Sequence, residues 1–135
     1  MSESTINLPA DWTERAAEQQ SEQTLAEFRS QTDTDTTFTV SIHRPSDVEG
    51  YRMRFSTFVP ESKQPRHEYP VAEYETRTAA LEATESFIDH VTARFRDGSL
   101  SRDEPDIDAV RTTIEDFTHH RPFASIRRLT RLLSQ

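Results

Sequence analysis

Arginine, histidine and hydroxyl side chains at two-residue spacing are the groups in this chain best placed to hold an anion. Ser41 and His43 alternate with Val40 and Ile42, and Arg52 and Arg54 alternate with Tyr51, Met53 and Phe55. In extended chain, such alternation sends one set to a core and the other to the opposite face. His43, Arg52, Arg54 and Phe58 therefore belong to one polar face, where an anion or an unstacked base could dock. The plainer reading is a solvated strand face, which Arg, Thr and Ser commonly decorate.

A second set of arginines lies near the C-terminus. Residues 117–135 contain Arg121, Arg127, Arg128 and Arg131 and no acid, so they carry +4 while residues 1–116 carry −12. Phe123, Ile126, Leu129, Leu132 and Leu133 interleave with these arginines and make more than one narrow apolar stripe. Such a segment fits a helix that buries against a partner, a second copy of the chain included. It could equally present Arg127, Arg128 and Arg131 to nucleic acid. The simplest alternative is a helical hairpin, with the arginines set against Asp103, Glu104, Asp106, Asp108, Glu115 and Asp116 of the preceding segment.

Salt weakens the nucleic-acid reading. Four phosphate contacts give a salt slope of roughly −3.6, so going from about 0.15 M to about 3 M salt costs between four and five decades of affinity. Binding at high salt would need stacking or apolar contact, which salt does not screen.

Other chemistries find little support. With no cysteine there is no disulfide, thiolate ligand or cysteine nucleophile. The five histidines form no HxH or HxxxH pair, and His119 and His120 are adjacent, so they point to different helix faces. Asp103, Asp106 and Asp108 lack the glycine turn and the distal glutamate of an EF-hand loop and read as helix-start acids. The only glycines, Gly50 and Gly98, are far apart. Phosphate loops, dinucleotide fingerprints and nucleophile elbows each need at least two glycines close together. No cofactor or metal is expected, and no nucleophile–base pair is fixed by spacing.

The elements that must position these residues are legible from residue 24 onward. Residues 24–30 are expected to be extended and 31–36 to turn. Phe38, Val40 and Ile42 alternate with Thr and Ser, which predicts a strand over 37–43, and Tyr51, Met53 and Phe55 predict another over 51–59. Setting Arg44 against Tyr51 pairs Ile42 with Met53, Val40 with Phe55 and Phe38 with Thr57. It pairs Ser41 with Arg54 and His43 with Arg52 on the other face. A slip of one residue would oppose apolar to polar positions throughout. Residues 68–75 read as a third strand, placed at an edge by Pro70.

Ala80, Thr84, Phe87, Ile88, Val91 and Phe95 predict a helix over 77–96. Thr76 or Thr78 caps its start and Gly98 ends it. Residues 101–108 read as the start of a second helix, with Ile107, Val110, Ile114 and Phe117 on its inner stripe. A third short helix is expected over 123–133. The expectation is one α+β domain over 1–135. A short antiparallel β-meander of at least three strands over 24–75 packs on a helix, and a helical portion spans 77–133. Residues 1–23 are unassigned, apart from Trp12 as an anchor on the core.

Composition adds a setting. Lys63 is the only lysine against fifteen arginines, there are seventeen threonines, and the net charge is −8. This resembles proteins of extremely salt-rich cytoplasm such as that of the haloarchaea, and the Leu8-Pro9…Trp12 opening is similar to that of small haloarchaeal proteins of unknown function. The resemblance implies salt adaptation and carries no activity. No basic leader and no apolar run of roughly 18 residues occurs, so a cytoplasmic, non-membrane protein is expected.

The Debye length is about 3 Å at 1 M salt, which suppresses repulsion among surface acids. The thermal midpoint should therefore rise from dilute buffer to multi-molar KCl, and a flat midpoint would contradict salt adaptation. The function expected is a non-enzymatic interaction or regulatory module, forming a homodimer, with nucleic-acid binding as the alternative.

Overall fold

A computed structural model describes residues 6–15, 24–31, 35–44 and 49–119. Its architecture is α+β. Five antiparallel strands follow one another in a meander of order β1-β2-β3-β4-β5: β1 (Trp12–Glu14), β2 (Thr24–Gln31), β3 (Thr37–His43), β4 (Tyr51–Phe58) and β5 (Arg66–Tyr74). Helices α1 (Arg77–Asp97) and α2 (Ile107–His119) follow, α1 against β3, β4 and β5, and α2 against α1 and β5.

The β3–β4 hairpin has the register that the two alternations demand, with Ile42 opposite Met53, Val40 opposite Phe55, Phe38 opposite Thr57 and His43 opposite Arg52. Phe28, Phe38, Val40, Ile42, Met53 and Phe55 are completely buried on the inner face. From α1, Phe87, Ile88 and Val91 enter the same core. Phe87 is its hinge-pin, edge-on to Phe55 (centroids 5.2 Å) and to Phe117 of α2 (5.0 Å), so one ring ties sheet, first helix and second helix together.

Helix α1 begins where the Thr76 hydroxyl accepts from the Ala79 N–H, and stops at Gly98, whose φ of 83° is costly for a residue with a Cβ. Helix α2 begins later than the acid-rich stretch suggests. Pro105 disfavours helical backbone at Glu104. The Asp106 carboxylate accepts from Ala109 N–H at 3.3 Å, and the Ser101 hydroxyl accepts from the N–H groups of Asp103 and Glu104 in a separate turn. The expected third helix over 123–133 lies outside the described residues.

The sheet adds β2, in the segment expected to be extended, and β1, which no alternation marks, to the three strands read from alternation. Strand β2 alternates Ala26, Phe28 and Ser30 inward with Glu27 and Arg29 outward. Strand β1 is a three-residue edge fixed by Trp12, which is 3% exposed. Its indole N–H donates to the Thr92 hydroxyl at 3.0 Å, and that hydroxyl donates to the Ile88 carbonyl at 2.8 Å. Thr92→Val would leave a buried indole N–H without an acceptor. It should destabilise by about 1–3 kcal/mol, read by urea denaturation, whereas a loss under about 0.5 kcal/mol would mean that the relay contributes nothing.

The other edge is β5, where Pro70 is exposed, as an edge strand allows. Arg54 stands opposite Pro70 and Met53 opposite Ala72, so Val71 is an extra residue that bends the strand. No described helix is long and apolar enough to cross a membrane.

Candidate functional site

Both described helices cover the same face of the sheet, so among the described residues the opposite face is uncovered. It forms a half-open depression of about 510 Å³ whose floor is the outward side of β3: Thr37, Thr39, Ser41 and His43. Arg15 and Arg29 wall it from the β1–β2 side, and Arg54, Phe58 and Arg66 from the β4–β5 side. Its short hydroxyl floor follows from the Thr/Ser alternation of β3, and its walls from the longer side chains of the neighbouring strands. Four arginines meet two glutamates, Glu27 and Glu68, an excess of two positive charges in a chain of −8.

The ion pairs are unequal. Arg15 hydrogen-bonds Glu27 at 3.3 Å and Arg52 hydrogen-bonds Glu73 at 3.1 Å. Arg29 to Glu27 and Arg54 to Glu68 are both 3.7 Å, too long for hydrogen bonds. The Nε of Arg29 is buried and has no hydrogen-bond partner among the described residues.

His43 is held at both ring nitrogens. Nε2 lies 2.9 Å from the Ser41 hydroxyl and Nδ1 lies 3.2 Å from the Thr24 hydroxyl. Burial, and secondarily Arg54, lower its pKa below the ordinary 6.5, while Glu68 and Glu27 oppose the shift. The ring is therefore neutral at neutral pH and can donate from one nitrogen while accepting at the other.

Of the residues picked from the sequence, His43, Arg54 and Phe58 come together on this face. Arg52 lies opposite His43 but is drawn aside to Glu73 and does not line the depression. Phe58 is half-buried, with the Arg66 guanidinium 5.6 Å from its ring centroid. Phe123, Ile126, Arg127, Arg128, Leu129, Arg131, Leu132 and Leu133 lie outside the described residues. Sequence reasoning missed Arg15, Arg29 and Arg66. Arg29 had a readable signal in the alternation of residues 26–30, but Arg15 and Arg66 reach the face only through the pairing of the edge strands.

Elsewhere, Asp35, Glu61, Asp103, Glu104 and Asp106 line an acidic crevice of about 1030 Å³ at the end of the sheet. No group of three His, Cys, Asp or Glu among the described residues is arranged to hold a metal ion. No family model, curated protein or solved structure matches this chain.

Proposed function

We propose that the chain is a non-enzymatic interaction module that receives an acidic partner protein on the uncovered face of its sheet. The observation that carries this reading is the segregation of charge. An acidic chain gathers Arg15, Arg29, Arg54 and Arg66 around a hydroxyl floor on the face that its described helices leave open. Complementary potential favours acidic partners and discourages self-association through this face, where positive would meet positive.

His43, the face's own acid–base group, lies 2.9 Å from the Ser41 hydroxyl, but its Nδ1 meets the Thr24 hydroxyl rather than an orienting carboxylate, and Ser41 is only 7% exposed. Nucleic acid is the weaker occupant. Among the described residues, Phe58 is the only aromatic ring lining the depression apart from His43, and Arg66 already covers it. Single-strand platforms rely on several free rings. Two excess charges give a salt slope of only about −1.8 for duplex phosphates.

The test is a titration of the full chain with a Glu-rich peptide and, separately, with oligothymidylate, each at about 0.15 M and about 2 M KCl. The reading expects saturable peptide binding that persists, weakened, at high salt. Preference for oligothymidylate would replace it with the nucleic-acid reading. A homodimer that buries this face, detected by light scattering and abolished by substitutions on it, would also overturn it.

A further inference from the structure

Resting on the reading of the sheet face as the binding surface, we infer that this face contains a defined subsite for one oxyanion, a carboxylate or phosphate group. It lies over Thr39 and Ser41, between Arg29 and Arg54. The strand register sets the geometry. Arg29 is opposite Thr39 and Arg54 is opposite Ser41, so the two guanidiniums approach the β3 floor from its two neighbouring strands. Adjacent strands are about 4.8 Å apart, within the reach of an arginine side chain.

Register and hydrogen bonding together favour these two arginines: Arg66 pairs opposite Phe58 at the end of β4 and stacks on its ring, away from Thr39 and Ser41. Arg15 and Arg52 have a glutamate oxygen within hydrogen-bond distance. Arg29 and Arg54 keep their glutamates at 3.7 Å, close enough for attraction and too far for a hydrogen bond. Arg29 also holds a buried Nε–H with no acceptor among the described residues, although its side chain as a whole is 38% exposed. A charged donor shielded from water and left without an acceptor is unfavourable, and such a group calls for an explanation. An oxyanion supplies one, because a guanidinium fork matches two oxygens of a carboxylate or a phosphate at once. The Thr39 hydroxyl, on the floor beside Arg29, is free to rotate and donate to the same group.

Two single-group probes, inorganic phosphate and acetate, are titrated into the isotopically labelled full chain at low chloride. Saturable shifts should concentrate on the Arg29 and Arg54 Nε–H signals and the Thr39 and Ser41 amides. Arg29→Gln should weaken binding by about tenfold or more, the loss of one charge-assisted hydrogen bond. Thr39→Val should weaken it by about threefold, and Arg66→Gln by less than about twofold. Unchanged core amides at Val40 and Phe55 would show that each variant remains folded. Tighter phosphate binding would assign the subsite to a phosphorylated group, and comparable binding of both probes to a carboxylate.

Linear, unsaturable shifts spread equally over Arg15, Arg29, Arg54 and Arg66 would overturn the subsite. If the Glu-rich peptide still bound in that case, only the subsite would fall. If the peptide failed too, the reading of the whole face would fall with it.

Discussion

Phe87→Ala is expected to remove about 3–5 kcal/mol of stability. Phe87 is completely buried, and its ring meets Phe55 of β4 and Phe117 of α2 edge-on. Truncation removes the transfer free energy of a phenyl ring and leaves a hole that rigid strands on one side cannot fill. Domains of this size are stable by only about 5–15 kcal/mol, so the variant should melt about 10–20 °C lower and sit close to unfolding in dilute buffer. Chemical denaturation of the variant beside Glu82→Ala, an exposed change on the same helix, provides the comparison. A loss under about 1 kcal/mol for Phe87→Ala would mean that α1 is not seated on the sheet through this ring.

The second large effect belongs to the uncovered face. Reversing two charges with Arg29→Glu and Arg54→Glu turns an excess of two positive charges into an excess of two negative ones in the depression. Like charges brought together at an interface cost several kcal/mol, so affinity for a Glu-rich peptide should fall at least about 100-fold at about 0.15 M salt. The decrease should be smaller in multi-molar KCl, where screening shortens the reach of each charge. Fold stability should change by less than about 1 kcal/mol, because these residues form long, partly exposed ion pairs. A double variant that bound the peptide as well as the parent chain would move the binding surface elsewhere.

The two predictions separate the molecule into a face that holds it together and a face that meets the outside, and the sequence reveals these halves unequally. The inner face is legible because period-two alternation over 37–43 and 51–58 leaves one register that keeps Val40 against Phe55 and Ile42 against Met53. Thr76 and Gly98 bound α1 through local backbone chemistry, which a sequence carries openly. Strand β1 is hidden because three residues hold no period, and Trp12 secures it through a contact to Thr92, eighty positions away. The start of α2 is misplaced by its acids. Helix-dipole chemistry favours Asp and Glu near a first turn, but Pro105 and the cap at Asp106 decide where that turn lies.

The outer face is partly legible for the same reason. His43, Arg54 and Phe58 share a face by parity alone. Arg15 and Arg66 join them only after β1 and β5 have paired, and Arg52 leaves the group because Glu73 stands opposite it. Which guanidiniums are saturated is a matter of a few tenths of an ångström, separating 3.1–3.3 Å from 3.7 Å, and no spacing in the sequence encodes it.

The central claim is that an acidic partner docks on the uncovered face of the sheet. It is tested most directly by mapping backbone amide shifts of the full chain during titration with a Glu-rich peptide. The account predicts one contiguous set of perturbed amides running across the outward positions of β2, β3 and β4, centred on Arg29, Thr39, Ser41 and Arg54, with the outward residues of α1 and α2 unmoved. Perturbation centred on the helical side, or no saturable perturbation anywhere, would contradict it.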